Sequence, residues 1–550
     1  MGTHNLHRLL SPRSVAVIGA SNRRDSVGRT VMENLLREDF GGSVFPINPK
    51  HSEVMGITCR ESVLEVEDAV ELAVIATPIE TVPSLLRQCE DKAVAGAVVI
   101  SAGGSEAGEE GRRIEEKIHR IATQGRLRVL GPNCLGFIRP KQKLNASFSP
   151  HMPEPGNLAF VSQSGAIGTA ILDYSIREHF GFSHFISVGS MTDVDFGDLI
   201  DYLGNHPDVE SILIYMESLT RIRRFMSAAR AVARAKPIVV LKSGKTRWGA
   251  QAAASHTGAM AGEDNYYDAA FARAGMVRVD SIGELFDCAE LMSKQQRPKG
   301  DRLGIITNAG GAGVMAADAL ARLDVKPAAL SDITRRRFDE ALPAFWSGGN
   351  PIDILGDATP QRYADALRIG LEAEDFDALL IILTPQAMTD PTGVAESLVD
   401  SLDGTQRPVF ASWMGGAAVS EGMAVLNSAD IPTYETPEEA IRAFLYMREY
   451  DRSQEKLFEI PPRFSHELSF DREAARRQIN QGLVRESGRL SESESKKLLA
   501  AYGIAVNRTE PANSEEKAVR TAAEIGYPLV MKVDSAAIIH KSESGGVRAG

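Results

Sequence analysis

Four cysteines in 550 residues (Cys59, Cys89, Cys134 and Cys288) are too few and too scattered for a disulfide framework or a thiolate metal site. A reducing compartment is the expected setting. No apolar run approaches the roughly 20 residues that cross a bilayer. The opening MGTHNLHRLLSPRSVAVIGAS interrupts its apolar residues with Ser-Pro-Arg, so it lacks the core of a signal peptide. Excess positive charge is missing as well: 61 Lys and Arg face 73 Asp and Glu, a net charge of −12. That balance disfavours nucleic acid or an anionic membrane as partner. A soluble, cytoplasmic chain is the expectation, with enough apolar residues for about three or four cores.

From Val15 to Pro140, VAVIGAS, VFPINPK, LAVIATP, AVVISAGG and RVLGPNCLGF each read as a buried strand ending in a turn. Amphipathic segments such as TVMENLLRE and TVPSLLRQCEDK lie between them. Continuous apolar strands alternating with helices predict a parallel α/β sheet covered on both faces. Ligands of such sheets sit beyond the carboxyl ends of the strands, where these turns lie. LAFVSQSGAIGTAILDY and LGIITNAGGAGVMAADAL then begin two further units alike: buried strand, Gly-containing turn, helix. ESILIYMESL and DALLIILTP match as their next strands, and KPIVVLKSGK and RPVFASWMGG as the ones after. Two tandem flavodoxin-like units are expected. A Gly/Pro-rich loop, ALPAFWSGGNPIDILGDATP, falls inside the second, and REYDRSQEKLFEIPPRF reads as a charged linker after it. RLSESESKKLLAAYGIAV opens a further domain, and the sequence reads as stopping in its middle.

The first unit lacks the dinucleotide fingerprint. GASNRRDSVG sets Gly19 and Gly28 nine apart, and the second strand ends INPK, placing Lys50 where nicotinamide binding wants an acid. A cation there suits a phosphorylated ribose over NAD. SQSGAIG (Ser162–Gly168) and TNAGGAGV (Thr307–Val314) each deliver a turn into a helix N-terminus, a ready phosphate site. Glu217 ends the strand ILIYME, where it could orient an imidazole or stand as a solvated strand-end acid. GAQAAASHTGAMAGEDN, from Gly249 to Asn265, surrounds His256 with small residues and has almost no apolar period. It reads as a surface loop, or as a loop whose histidine is reachable by a bulky ligand.

SHTGAMAGEDN, GPNCLGF, SQSGAIG, TNAGGAGVMAAD, NPIDILGDA and HKSESGG together resemble the nucleoside-diphosphate-forming acyl-CoA synthetases, relatives of succinyl-CoA synthetase. The resemblance covers essentially the whole chain. It implies a Rossmann-like CoA-binding domain (1–140), two flavodoxin-like ligase domains (150–297 and 300–455) and the start of an ATP-grasp domain (485–550). It further implies that His256 is phosphorylated during turnover, that Glu217 orients it, and that His540 relays phosphate. Gly19, Ser21, Asn22, Lys50, Thr77, Pro78 and Asn133 become candidate CoA contacts. Ser162, Ser164, Gly165, Gly310, Gly311 and Gly313 become candidate phosphate contacts, and Lys532 a nucleotide-phosphate contact. CoA or acyl-CoA, a small carboxylic acid and ATP or ADP are the implied substrates. Mg²⁺ is expected with the nucleotide, its ligands outside this chain. A homo-oligomer, or completion by further ATP-grasp sequence, is the expected assembly. The family often has glycine after the strand-end glutamate, whereas Ser218 stands here. LNASFSP, SAARAVARAKPIVVLKSG and TYETPEEAIRAFLYMREYDRSQEKL also look like the synthetase-like part of bacterial GNAT-type protein lysine acetyltransferases. That likeness gives a rival reading, an acyl-CoA-binding regulatory module.

Overall fold

The computed structural model describes all residues except 1–3, 38, 178–179, 258–263, 403, 405–406, 459–469, 486–487, 539 and 550, and gives no side-chain description at 177 and 253–257. Two compact units result, Met1–Glu459 and Ile460–Gly550.

The larger unit holds three sheets, each covered by helices on both faces. The first contains β1 (Ser14–Ile18), β2 (Ser43–Ile47), β5 (Leu72–Ile75), β6 (Gly96–Val99) and β7 (Arg128–Leu130) in the order β2-β1-β5-β6-β7, all parallel. A short hairpin, β3 (Glu53–Val54) with β4 (Ile57–Thr58), follows β2. The second sheet combines β8 (Gly136–Arg139), β9 (Leu144–Ser147), β10 (Pro155–Ser162), β11 (Phe182–Ser187), β12 (Ser211–Met216), β13 (Ile238–Lys242) and β14 (Val277–Val279). Its order is β14-β13-β12-β10-β11-β8-β9, with only the β8–β9 hairpin antiparallel to its neighbours. The third, β16-β15-β17-β18-β19, is parallel throughout and is built from β15 (Leu303–Thr307), β16 (Ile352–Asp353), β17 (Ala378–Leu383), β18 (Val409–Trp413) and β19 (Thr433–Tyr434).

Numbered within each unit, the parallel strands of all three sheets follow one order, 2-1-3-4-5. In such a sheet the connections leave strand 1 in opposite directions, and the crevice beyond strands 1 and 3 is open to a ligand. Gly19, Thr77, Ser164, Glu217 and Gly310 lie at those crevices, at or just past the strand ends. The strands are as apolar as their double burial requires. Every residue of β1, β5, β15 and β17 is buried, and the polar ones among them, Ser14 and Thr307, each donate a hydroxyl to a backbone carbonyl.

Two sequence expectations change. RVLGPNCLGF, read as one strand, forms β7 and β8, which lie in different sheets. The turn Gly131–Asn133 between them needs left-handed backbone at Gly131 (φ 99°) and Asn133 (φ 54°), so an apolar count alone could not reveal the break. REYDRSQEKLF is no linker but the end of the helix Pro437–Phe458. Its polar residues bind inward: Tyr450 Oη donates to the Ala233 carbonyl (2.9 Å) and Gln454 Nε2 to the same oxygen (2.6 Å).

The smaller unit carries the helices Arg472–Leu483, Glu492–Ala501 and Glu515–Ile525, and a two-stranded antiparallel ribbon, β20 (Val530–Lys532) with β21 (Val547–Ala549). All three β20 residues are exposed, as is expected of an apolar strand with one partner. All four cysteines are buried. Among the described residues no helix is long and apolar enough to cross a membrane.

Candidate functional site

The first crevice lies beyond β1 and β5. A methyl group on Gly19 would sit 2.7 Å from the Ala76 carbonyl oxygen, and one on Gly28 only 2.0 Å from the Gly19 carbonyl oxygen. Both glycines are therefore demanded by backbone contact: strand end, helix start and the neighbouring strand end meet with no room for Cβ. Thr77 and Pro78 follow β5, with the Thr77 hydroxyl 2.8 Å from that of Thr81. Asn133 is exposed on its left-handed turn and donates its N–H to the Ser101 carbonyl (3.0 Å). Lys50 is exposed after β2, held by its backbone N–H to Asn48 Oδ1 (3.0 Å). Ser21 accepts the Arg23 N–H (3.0 Å).

Asn22, an expected CoA contact, is exposed at the crevice. Its amide is spent on the β3–β4 hairpin, donating to the Glu53 carbonyl (3.0 Å) and accepting the Met55 N–H (3.0 Å). It shapes the crevice wall.

The second crevice lies beyond β10 and β12. After β10 the chain turns at Gln163 and Ser164 into the helix Gly165–Arg177, whose first N–H groups have no partner within the helix. Ser162, expected to touch phosphate, is buried and committed to the turn: its hydroxyl donates to the Ser164 carbonyl (2.7 Å) and accepts the Ser164 N–H (3.2 Å). Ser164 and Gly165 remain at the open rim, where a methyl added to Gly165 would meet nothing nearer than Leu135 at 3.6 Å. Glu217 follows β12 directly and is half-buried. Gln163 joins the two strand ends. Its Oε1 accepts the N–H of both Glu217 and Ser218 at 2.9 Å each, and its Nε2 donates to Ser218 Oγ at 2.9 Å.

β13 ends beside Glu217, paired Met216 to Lys242. Lys242 is 3% exposed, with Nζ 4.6 Å from the centre of the Tyr267 ring. Burial pulls its ammonium below the ordinary lysine range, against the attraction of Asp264 and Glu217. Arg278 binds Asp264 at 2.6 Å and Asp268 at 2.5 Å, bracing the following helix Asp264–Ala274. From the end of β13 the chain enters the helix Arg247–Thr257, which lies against the turn Ser105–Ala107 of the first domain. His256 stands in the last turn of that helix. The stretch read as a loop is thus helical up to Thr257. Alanine, the strongest helix former, explains this without an apolar period. The His256 side chain and residues 258–263 lie outside the described residues.

The third crevice repeats the second. Thr307 Oγ1 donates to the Ala309 carbonyl and accepts the Ala309 N–H, each at 3.1 Å, as Ser162 does for Ser164. Asn308 Oδ1 accepts the Thr384 N–H (2.9 Å) across the β15–β17 gap, as Gln163 does for Glu217. Gly310 and Gly311 open the helix Gly310–Arg322, while Gly313 packs on Pro351, whose Cβ would lie 3.1 Å from an added methyl. One difference matters chemically. Asp353 Oδ2 sits 3.0 Å from the position of a Gly310 methyl, so a carboxylate already faces this helix end.

In the smaller unit Lys532 Nζ donates to Glu492 Oε1 (3.0 Å), which also takes Lys496 (2.9 Å), while Lys541 lies 3.5 Å from Oε2. The Lys496 and Lys532 hydrogen bonds hold the Glu492 carboxyl down to about 2. His540 is exposed, its carbonyl accepting Ser544 N–H (3.2 Å) and Oγ–H (3.0 Å). Among the described residues no group of three or more His, Cys, Asp or Glu is placed to hold a metal ion.

Four family models match in sequence: a CoA binding domain (13–140), a succinyl-CoA ligase like flavodoxin domain (155–292), a ligase-CoA domain (303–457) and an ATP-grasp domain (481–550). An ADP-forming acetate–CoA ligase I of Archaeoglobus fulgidus is 41% identical over 99% of this chain and 77% of its own length. The chain belongs to the ADP-forming acetate–CoA ligase family. A dinucleotide-forming acetyl-coenzyme A synthetase 1 of Candidatus Korarchaeum cryptofilum, solved with phosphate and ADP, superimposes with a TM-score of 0.78. It is 37% identical, covering 83% of this chain and 99% of that one. A β subunit of the family's enzyme I from Pyrococcus furiosus is 47% identical over 78 residues, 14% of this chain and 34% of the subunit. These relatives are ligases and synthetases, and the acetyltransferase reading gains nothing from them.

Gln163 was missed in the sequence. Its signal was present: the aligned turns SQSG and TNAG both carry a side-chain amide at the same place.

Proposed function

We propose that this chain carries out the CoA and phosphohistidine half of an ADP-forming acyl-CoA synthetase reaction, interconverting acyl-CoA, ADP and phosphate with a small carboxylic acid, CoA and ATP. The observation that carries this is the second crevice, where a helix N-terminus and a clamped glutamate meet at neighbouring strand ends of one sheet, and the helix bearing His256 follows the next strand of that sheet. Running toward ATP, a phosphate oxygen attacks the thioester carbonyl. The C–S bond breaks, giving acyl phosphate and a CoA thiolate that takes up a proton. An imidazole nitrogen of His256 then attacks phosphorus, the P–O bond to the acyl group breaks, and the carboxylate leaves. Glu217 accepts the hydrogen bond of the other ring nitrogen and steadies the positive charge formed. The Ser164 hydroxyl and the Gly165 N–H at the helix start hold the phosphoryl oxygens, the partial positive charge of the helix end matching the phosphate.

Transfer to ADP then runs through His540, with Lys532 at the nucleotide phosphates. Mg²⁺ accompanies the nucleotide, and its ligands come from ATP-grasp sequence supplied by a longer chain or a partner subunit. The β-subunit match, over 78 residues, supports that arrangement. The test is labelling with acetyl-CoA and radiolabelled phosphate. An acid-labile, base-stable label is expected, absent in His256→Ala and reduced in Glu217→Gln. A label that persists in His256→Ala would place the chemistry elsewhere.

A further inference from the structure

We infer that Gln163 is the positioning residue of the phosphohistidine site, tying Glu217 to the phosphate-binding turn so that the two act as one rigid unit. This rests on the reading of the second crevice given above.

Both ends of one side-chain amide are committed to one strand end. Oε1 takes the N–H of Glu217 and of Ser218 at 2.9 Å, and Nε2 gives a proton to Ser218 Oγ at 2.9 Å. The backbone of Gln163 adds a fourth tie, its N–H donating to the Tyr215 carbonyl at 3.1 Å. Glu217 lies just past the end of β12, where strand pairing no longer fixes the backbone. Two N–H groups captured by one fixed oxygen restore that constraint, so the Glu217 carboxylate starts from a defined Cα position. Gln163 itself sits between Ser162 and Ser164, whose mutual hydrogen bonds close the turn before the helix. The turn that meets phosphate and the acid that meets imidazole are therefore joined through a single residue.

Ser218 acquires a reason from this geometry. A glycine at this place would offer no hydroxyl, and Gln163 Nε2 would lose this partner. The third sheet uses the same device without the acid: Asn308 Oδ1 takes the Thr384 N–H and Nδ2 gives to the Thr384 carbonyl, both at 2.9 Å. The clamp is thus a property of the repeat, and the first repeat has placed its glutamate on it.

The test uses the phosphohistidine label from acetyl-CoA and radiolabelled phosphate, with the unaltered chain alongside. Gln163→Leu keeps the volume and removes every side-chain bond, so labelling should slow by about tenfold or more while CoA affinity holds. Gln163→Glu retains an oxygen for the two N–H groups and another for the Ser218 hydroxyl, which turns to donate. It should label much faster than Gln163→Leu. Its extra charge beside Glu217 disfavours a second carboxylate, so the acid limb of its pH–rate profile should move up by about one unit. Labelling of Gln163→Leu at the unaltered rate, or an unshifted Gln163→Glu profile, would overturn the inference. If Gln163→Leu fails to fold, the Gln163→Glu profile decides alone. If the unaltered chain takes no label, the proposed function itself fails, and the clamp is a structural element only.

Discussion

Arg128→Met should loosen the joint between the first two sheets, and the structure sets the scale. Arg128 begins β7, the last strand of the first sheet, and is 2% exposed. Its Nε binds Asp193 Oδ2 at 2.9 Å and its Nη2 binds Asp198 Oδ2 at 2.8 Å, on side chains 2% and 1% exposed. Asp193 Oδ2 also takes the Val129 N–H (2.9 Å), and Val194 donates its N–H to the Val129 carbonyl (3.1 Å), so the same joint continues through backbone. With Arg128 gone, Asp198 keeps Arg224 and Asp193 keeps one N–H, leaving a buried excess of negative charge. Removing one partner of a buried pair costs about 3–5 kcal/mol, because the remaining ion is stranded away from water. Amide exchange at Val129 and Val194 should then quicken by roughly 10²- to 10³-fold or more. Arg128→Lys should fall between, since an ammonium cannot reach both acids with a planar fork. Burial already raises the Asp198 carboxyl, with Arg128 pulling it down. In Arg128→Met it rises further, the folded state binds the extra proton, and the cost should shrink as pH falls toward that raised value. Exchange in Arg128→Met within about fivefold of the unaltered chain would refute the reasoning, since it would mean a cost near 1 kcal/mol.

Two further expectations follow from other groups. Lys50→Ala should weaken CoA by roughly 10- to 150-fold and dephospho-CoA much less, since a charge-assisted hydrogen bond to the ribose phosphate is worth about 1.5–3 kcal/mol; calorimetry with the two ligands checks it. His184 is fully buried with Nε2 unpartnered, and burial, with Arg139 and His206 adding to it, pulls its imidazole down to about 2. The unfolded chain, near 6.5, binds more protons below that pH, so stability should fall by about 1.4 kcal/mol per unit as pH drops below roughly 6.5; His184→Phe should flatten that slope in melts between about pH 7 and 5.

The parallel sheets were legible because their strands are buried on both faces and therefore continuously apolar. The order of those strands, and hence which turns meet, was not written in any local pattern. LAFVSQSG and ILIYME read separately as strand ends, but only the 2-1-3-4-5 order makes them neighbours. Polar residues that bind inward defeated the reading elsewhere. Asn22 and Ser162, singled out as small polar turn residues, also bind nearby backbone groups, which no local pattern announces. Tyr450 and Gln454 made a packed helix look like a linker for the same reason. The His256 stretch misled differently: alanine forms helix through propensity, and propensity leaves no periodic trace.

The third crevice invites a comparison with the second, because fold and clamp are shared and the charges are not. In the second, the acid stands on the strand end, at Glu217, and the atoms nearest to a methyl added at Gly165 all belong to Leu135. In the third, the strand end carries Thr384 and the acid has moved to Asp353, beside Gly310. Asp353 Oδ1 accepts the Leu355 N–H at 2.9 Å, closing its own turn, so Oδ2 is the oxygen presented to the helix. A carboxylate at a helix N-terminus is stabilising there by about 0.3–1 kcal/mol and opposes a second anion by electrostatics of the same order. Gly310 and Gly311 can therefore receive a phosphoryl group only against Asp353. Asp353→Asn keeps the oxygen that closes the turn and removes the charge. It should tighten phosphate at this helix end by about two- to fivefold, seen as a lower KM for phosphate with CoA affinity unchanged. A KM for phosphate that stays the same in Asp353→Asn would show that the third crevice takes no part in holding phosphate and would leave that work to the second alone, whereas a raised KM would show that Asp353 aids phosphate there, against the electrostatic argument.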